Sequence, residues 1–319
     1  MPEIINKILE NESFCGSILI AKGQEIIYER GFGLADQSTF LPNSTDIIYR
    51  IGSLAKQFTA LCILRLIEGG VLDLNDPIYK YIPSQTLFKN ITIHQLLVHS
   101  SGLPVNFPYD IHVDSNDTDL IEALKTVDVN ESKSHIPEYS NVGYSILGHL
   151  IEVGSGYTYS EYISKQICEP LGLLNSGADF IKYSEFNNRA YGYELGEKSK
   201  LMQFRTYEGA GSSFYTTAKE YRKWDLALYS DNLISEKYKI LMFKCYEPIT
   251  SDIGYGYGWE VNRLYPTIHQ HSGYVAGISS FVMRNIDTKF LLFAVSNSGE
   301  EGLKPIQTIT DKINNGFCK

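Results

Sequence analysis

Ser53-Leu54-Ala55-Lys56 sets a hydroxyl and an amine three residues apart. On a helix such a pair shares one face, and a serine beside an amine is a nucleophile with its base. The flanking residues supply the helix. Ile47-Ile48-Tyr49-Arg50-Ile51 reads as an extended approach, rich in β-branched and aromatic side chains. Gly52 lets the chain turn, and the apolar run from Phe58 to Ile67 ends at Gly69-Gly70, a helix stop. The hydroxyl would then lie near the positive end of the helix dipole. Alone, the pair also fits a plainer reading, a capping serine followed by a solvated lysine.

Two later groups carry compatible chemistry. Tyr139-Ser140-Asn141 offers a phenol and an amide, and His271-Ser272-Gly273 an imidazole and a glycine, followed by Tyr274. The phenol can act as a base or relay a proton to a leaving group. The amide of Asn141 can donate to a substrate carbonyl and accept from Lys56. Plainer readings stand beside these. Tyr139 is one of 23 tyrosines and fits a packing role. Asn141 can cap a helix beginning near Val142. His269 and His271, at alternate positions, can share a sheet face and bind a metal, but no third ligand is signalled. His99 reads as a residue that bonds local backbone. Glu169, ahead of Pro170 in a turn, is a poor deacylation base.

The order Ser-x-x-Lys, Tyr-x-Asn, then a basic residue and x-Gly resembles the serine β-lactamase and penicillin-binding-protein superfamily. It is most similar to the class C β-lactamase-like branch, with its DD-peptidase, D-aminopeptidase and esterase relatives. Linking stretches match in order: Gly70 to Pro77, Leu96-Leu97-Val98-His99-Ser100-Ser101-Gly102-Leu103, Glu169 to Leu173, and Gly209 to Ser213. The resemblance implies catalytic roles for Ser53, Lys56 and Tyr139, and substrate-binding roles for Asn141, His271, Gly273 and Tyr274. The backbone N–H groups of Ser53 and Tyr274 would form the oxyanion hole. An acyl-enzyme on Ser53 would be cleared by water, with no metal and no cofactor. One residue departs from the pattern. His271 stands where β-lactamases and DD-peptidases carry a lysine. A histidine near its reference pKa of about 6.5 would change charge between about pH 6 and 8. On that reading His271 meets a substrate carboxylate as a cation only at the lower end.

Composition suits a globular protein: 319 residues, 43% hydrophobic, 20% charged. A net charge of −9 without a Lys/Arg cluster argues against a nucleic-acid partner. No apolar run approaches the roughly 18 residues of a membrane span. The N-terminus lacks a signal peptide's basic start and apolar core. The five scattered cysteines, Cys15, Cys62, Cys168, Cys245 and Cys318, point to a reduced, cytoplasmic setting.

Strand signals cluster at the two ends. Ser17 to Ala21 and Gln24 to Arg30 read as a hairpin about Lys22-Gly23. Ile278 to Arg284 and Lys289 to Ser296 flank a turn at Asn285 to Thr288. Gly254 to Val261 reads as an aromatic strand or its entry. Helix candidates are Ser53 to Glu68, Ile91 to Val98, Leu120 to Val127, Val142 to Val153, Ala218 to Tyr229 and Leu303 to Ile313. The expected fold is α+β, a three-layer α/β/α arrangement of β-lactamase/transpeptidase type. One catalytic domain spans 1–319. Its sheet subdomain takes residues 1–60 and 250–319, its mainly helical subdomain residues 61–249. The expected activity is serine hydrolysis of a lactam, amide or ester, with a β-lactam, D-amino-acid peptide or ester as substrate. A carboxylesterase without a cell-wall role and a slowly acylating β-lactam or peptidoglycan sensor are the alternatives. The sequence leaves the oligomeric state open.

Overall fold

The computed structural model describes residues 2–83, 88–107, 118–130, 136–194, 197–198 and 209–313. Helix α1 (Pro2–Asn11) leads into an antiparallel hairpin of β1 (Gly16–Lys22) and β2 (Glu25–Phe32). Six more strands come late in the chain: β3 (Glu247–Pro248), β4 (Ile253–Tyr255), β5 (Glu260–Asn262), β6 (Ile268–Val275), β7 (Ile278–Asn285) and β8 (Phe290–Ser296). All eight form one antiparallel sheet, in the order β2-β1-β8-β7-β6-β5-β4-β3. The first strand pairs with the last, Gly16 opposite Ser296 and Lys22 opposite Phe290. The sheet is thus assembled from both ends of the chain, as the sequence implied.

Why β8 reads as an unbroken apolar run follows from its surroundings. Leu291, Phe293 and Val295 enter the large core under the helices. Phe290, Leu292 and Ala294 enter a second core, with Ile5 and Leu9 of α1 and Ile306 and Ile309 near the C-terminal end. A strand covered on both faces has no solvent side to alternate toward. Each fully buried aliphatic side chain here contributes roughly 1.5–3 kcal/mol of apolar burial. Two helical layers around one sheet give the three-layer fold.

Between the strands the chain is mostly helical. Helix α2 (Ala55–Glu68) is the hub, with eleven of its side chains buried from Ala55 to Leu66. Helix α3 (Asn141–Ser155) packs along it, and α4 (Ala218–Ala227) bridges to β8 and β1. Phe58 of α2 stacks on Phe214 at 3.8 Å and on Trp224 of α4 at 4.3 Å between ring centroids. Helix α5 (Lys304–Lys312) closes the described chain against α1.

The aromatic stretch Gly254 to Val261 is not one strand. It divides into β4 and β5 around a turn in which Gly258 has φ +75°. A Cβ on Gly258 would lie 2.6 Å from the Lys56 carbonyl oxygen, so the turn presses directly against the start of α2. The amphipathic α1 carried no strong boundary signal in the sequence. Cys15, Cys62, Cys168 and Cys245 are free thiols, and Cys318 lies outside the described residues. No helix among the described residues is long and apolar enough to cross a membrane.

Candidate active site

Ser53 sits in a short 3-10 turn, Gly52–Leu54, that runs straight into α2. The approach strand Tyr49–Arg50 pairs with Tyr215–Thr216, and the Ile51 amide donates to the Phe214 carbonyl at 3.0 Å. Gly52 then adopts φ +53°, which a side chain would resist. A Cβ at Gly52 would also come within 2.7 Å of the Tyr274 nitrogen. From the other side, a Cβ at Gly273 would fall 2.2 Å from the Ile51 oxygen and 2.9 Å from the Ser53 nitrogen. Two glycines therefore let β6 and the serine turn touch backbone to backbone. The amides of Ser53 and Tyr274 border the same spot, the arrangement an oxyanion hole requires.

Lys56 lies one turn on and is fully buried. Its Nζ is 3.2 Å from Ser53 Oγ, 2.8 Å from Asn141 Oδ1 and 2.9 Å from the Gly211 carbonyl oxygen. None of these neighbours is an anion. Burial alone holds the amine well below its ordinary pKa of 10.5. Ser53 is only partly buried, so the hydroxyl stays reachable while its neighbour does not.

Tyr139 and Asn141 arrive together at the head of α3. Ser140, the residue between them, is the N-cap: its Oγ accepts from the Gly143 amide at 3.0 Å and donates to the Pro104 carbonyl at 2.7 Å. The capping role that the sequence allowed Asn141 thus belongs to Ser140, which leaves the Asn141 side chain free for Lys56. The Asn141 Nδ2 donates to Asn106 Oδ1 at 2.8 Å. Tyr139 lies with its ring centroid 4.7 Å from Lys56 Nζ. Burial drives its phenol far above the ordinary tyrosine range. Ser53 is the neighbour that draws it back, though the two hydroxyls do not meet in good hydrogen-bond geometry.

His271 is brought near this group but not into it as a titrating cation. It is buried, with 2% of its surface exposed. Its Nδ1 is 2.6 Å from its neighbour's carbonyl, Ser272 O, and so carries the proton. Its Nε2 is 2.9 Å from the Tyr255 hydroxyl, which donates. Both nitrogens are used in the neutral ring. Burial lowers its pKa, Glu260 opposes that, and the net direction is below 6.5. Burial and these two contacts bear against a ring that takes up charge between pH 6 and 8 beside a carboxylate. His269 shares its face of β6 but is walled off by Phe243, whose ring stacks at 4.6 Å, and by Trp259. The described residues contain no cluster of metal-ligating side chains. Tyr274 contributes its backbone at this spot; its side chain is exposed, and its hydroxyl donates to Glu194. Glu169 is exposed and accepts from Ser164.

Two contributors were not singled out from the sequence. The Gly211 carbonyl holds Lys56, yet a carbonyl oxygen leaves no mark on residue type. Tyr255 fixes His271, and one tyrosine among many carries no signal of it. The far edge of β6 also matters. Strand β5 pairs with it only at His269 and Gln270, so among the described residues no strand covers the edge from His271 to Val275. An open strand edge beside Ser53 is a template for an extended substrate.

Comparison with known proteins agrees with this picture. The family model described as "Beta-lactamase" matches residues 5–309. Penicillin-binding protein 4* of Bacillus subtilis is 31% identical, over 92% of this chain and 70% of its own length. Protein flp of Staphylococcus aureus is 27% identical over 89% of this chain, which spans 60% of that protein's length. Among solved structures, the octameric penicillin-binding protein homologue of Pyrococcus abyssi superposes with a TM-score of 0.82 at 27% identity, over 98% of this chain and 76% of that one. The D-amino acid amidase of Ochrobactrum anthropi shares the fold, with a TM-score of 0.81 at 23% identity over 99% of this chain and 98% of that one.

Proposed function

This chain belongs to the β-lactamase family of serine hydrolases, and we propose that it is a class C-like member that forms an acyl-enzyme on Ser53 and cleaves amides or esters. The observation that carries the reading is the lysine. A neutral amine has two N–H bonds and one lone pair. Lys56 Nζ has two fixed acceptors, Asn141 Oδ1 and Gly211 O, and one hydroxyl, Ser53 Oγ. With both N–H bonds satisfied, the lone pair is left for the Ser53 proton.

The first step then follows. Ser53 Oγ attacks the substrate carbonyl while its proton passes to Lys56 Nζ. Negative charge develops on the carbonyl oxygen beside the Ser53 and Tyr274 amides. Tyr139 is protonated at rest, so it can pass its proton to the departing amine or alkoxide and draw a replacement from Lys56. Water then cleaves the acyl-enzyme by the reverse route. Gly273 contributes by having no side chain, and Asn141 by orienting the amine. No step calls on a metal or cofactor.

Substrate choice follows from His271. A neutral, fully engaged imidazole puts no fixed cation beside the site at that position. This favours esters and D-amino-acid amides over β-lactams and peptides that end in a free carboxylate, whose recognition in relatives with lysine there leans on that carboxylate. The test is a panel of nitrocefin, a nitrophenyl ester, a D-amino-acid amide and a D-alanyl-D-alanine peptide, with intact-mass analysis. The ester or amide should turn over fastest, and Ser53→Ala should remove both turnover and adducts. KM for nitrocefin and for the ester should vary in parallel, within about threefold, from pH 6 to 8. An adduct on another residue, or a stable adduct with every substrate, would defeat the proposal.

A further inference from the structure

His99 stands outside the chemistry just described, yet it touches the chain on both sides of Tyr139. Its carbonyl oxygen accepts from the Glu138 amide at 2.8 Å. Its Nδ1 accepts from the Ser140 amide at 3.0 Å. Its ring lies against the Tyr139 ring, 4.4 Å between centroids, with Tyr255 at 4.5 Å and Tyr144 at 5.1 Å behind it. A single residue therefore holds the amides of the two residues that flank Tyr139 and backs its ring. The grip needs an unusual backbone. His99 has φ +60°, in the left-handed region that side chains other than glycine and asparagine rarely adopt. Strained conformations of this kind persist where the surroundings over-determine them.

We infer that His99 is the positioning residue for Tyr139, fixing the height and tilt of the phenol over Ser53 and Lys56 through the amides of residues 138 and 140. The inference rests on the reading of Tyr139 as the proton donor. It requires the ring to stay neutral, because an imidazolium has no acceptor for the Ser140 amide. Burial holds its pKa well below the ordinary histidine value and keeps His99 in that form. His99 Nε2 is then the protonated nitrogen, and it has no hydrogen-bond acceptor. A group that only filled space would not retain such an orphan, since an apolar ring packs there without one.

The test is a double-mutant cycle with the best substrate of the panel. His99→Phe keeps a ring and removes the acceptor. His99→Asn tolerates the left-handed backbone and carries an oxygen at the same bonded distance from the backbone as Nδ1. The expected result for His99→Phe is a 10–100-fold lower kcat with KM within about twofold, and for His99→Asn recovery to within about fivefold of the parent. In a Tyr139→Phe background, His99→Phe should change kcat by less than about twofold, because its partner is already lost. His99→Met, flexible and without a nitrogen acceptor, repeats the cycle if the phenyl variant does not fold. The same fold loss in both backgrounds would overturn the inference and leave Tyr139 its role. Wild-type kcat in Tyr139→Phe itself would instead overturn the proton-donor reading, and the inference with it.

Discussion

Two cations are buried in the same core, and they end in opposite states. Lys56 has carbonyl, amide and hydroxyl oxygens around it and no carboxylate, so burial drives it toward the neutral amine. Arg284 on β7 is equally buried, but its Nε lies 2.8 Å from Asp225 Oδ1 on α4. The rings of Tyr229, Phe243 and Trp259 stand 4.7, 5.0 and 5.6 Å from its guanidinium carbon. Burial works against its charge, yet Asp225 and Tyr229 outweigh it and the pKa is raised. Burial alone does not decide protonation; the partner does. Arg284 is given a carboxylate, and Lys56, the proposed base, is given neutral acceptors only.

Changing Lys56 breaks the first half of this contrast and should have the largest effect. Lys56→Met fills a similar volume without an amine. Acylation rates should fall at least about 1000-fold, more than the usual loss of a general base because the orienting contacts go too. Stability in urea titrations should also fall by about 1–3 kcal/mol, since the Asn141 Oδ1 and Gly211 carbonyl acceptors lose their buried donor. Asp225→Asn breaks the second half. It strands a buried guanidinium, and stability should fall by about 3–5 kcal/mol in urea titrations. The kcat of the folded fraction should stay within about threefold of the parent.

A smaller effect sharpens the contrast through pH. His269, the register partner of Arg284, is held neutral by burial and by that guanidinium, with its pKa lowered to about 3. The unfolded chain takes up this proton below about pH 6.5, and the folded chain does not until about pH 3. The unfolded state therefore gains protons first as pH falls. Stability from this residue is complete above pH 6.5 and shrinks by about 1.4 kcal/mol per pH unit across that window. His269→Gln should flatten the slope of stability against pH between 6 and 4 by about that amount, measured by urea unfolding at several pH values.

Much of this arrangement is legible in residue order. Ser53, Lys56, Tyr139 and Asn141 stand out because the order of their motifs resembles the serine β-lactamase and penicillin-binding-protein superfamily, whereas local pattern alone leaves each a plainer reading. The hairpins of β1 with β2 and β7 with β8 show because their strands are short, apolar and separated by turn residues. What escapes notice depends on partners distant in sequence. Nothing near Arg284 announces Asp225, and nothing near Lys56 announces the Gly211 carbonyl. The state of His271 depends on Tyr255 and on burial, which its residue type does not show. The division of Gly254 to Val261 into two strands depends on the close approach of α2 at Gly258.

The pairing of β1 with β8 also sets when the protein can first work. The serine turn is made early in synthesis, with residues 52–56, whereas Tyr274 and the strand that holds β1 in the sheet come more than two hundred residues later. Until position 296 has left the ribosome, the β1–β2 hairpin lacks its full neighbour on one edge. Contacts this distant in sequence fold slowly, and a waiting strand edge is where nascent chains stick to one another.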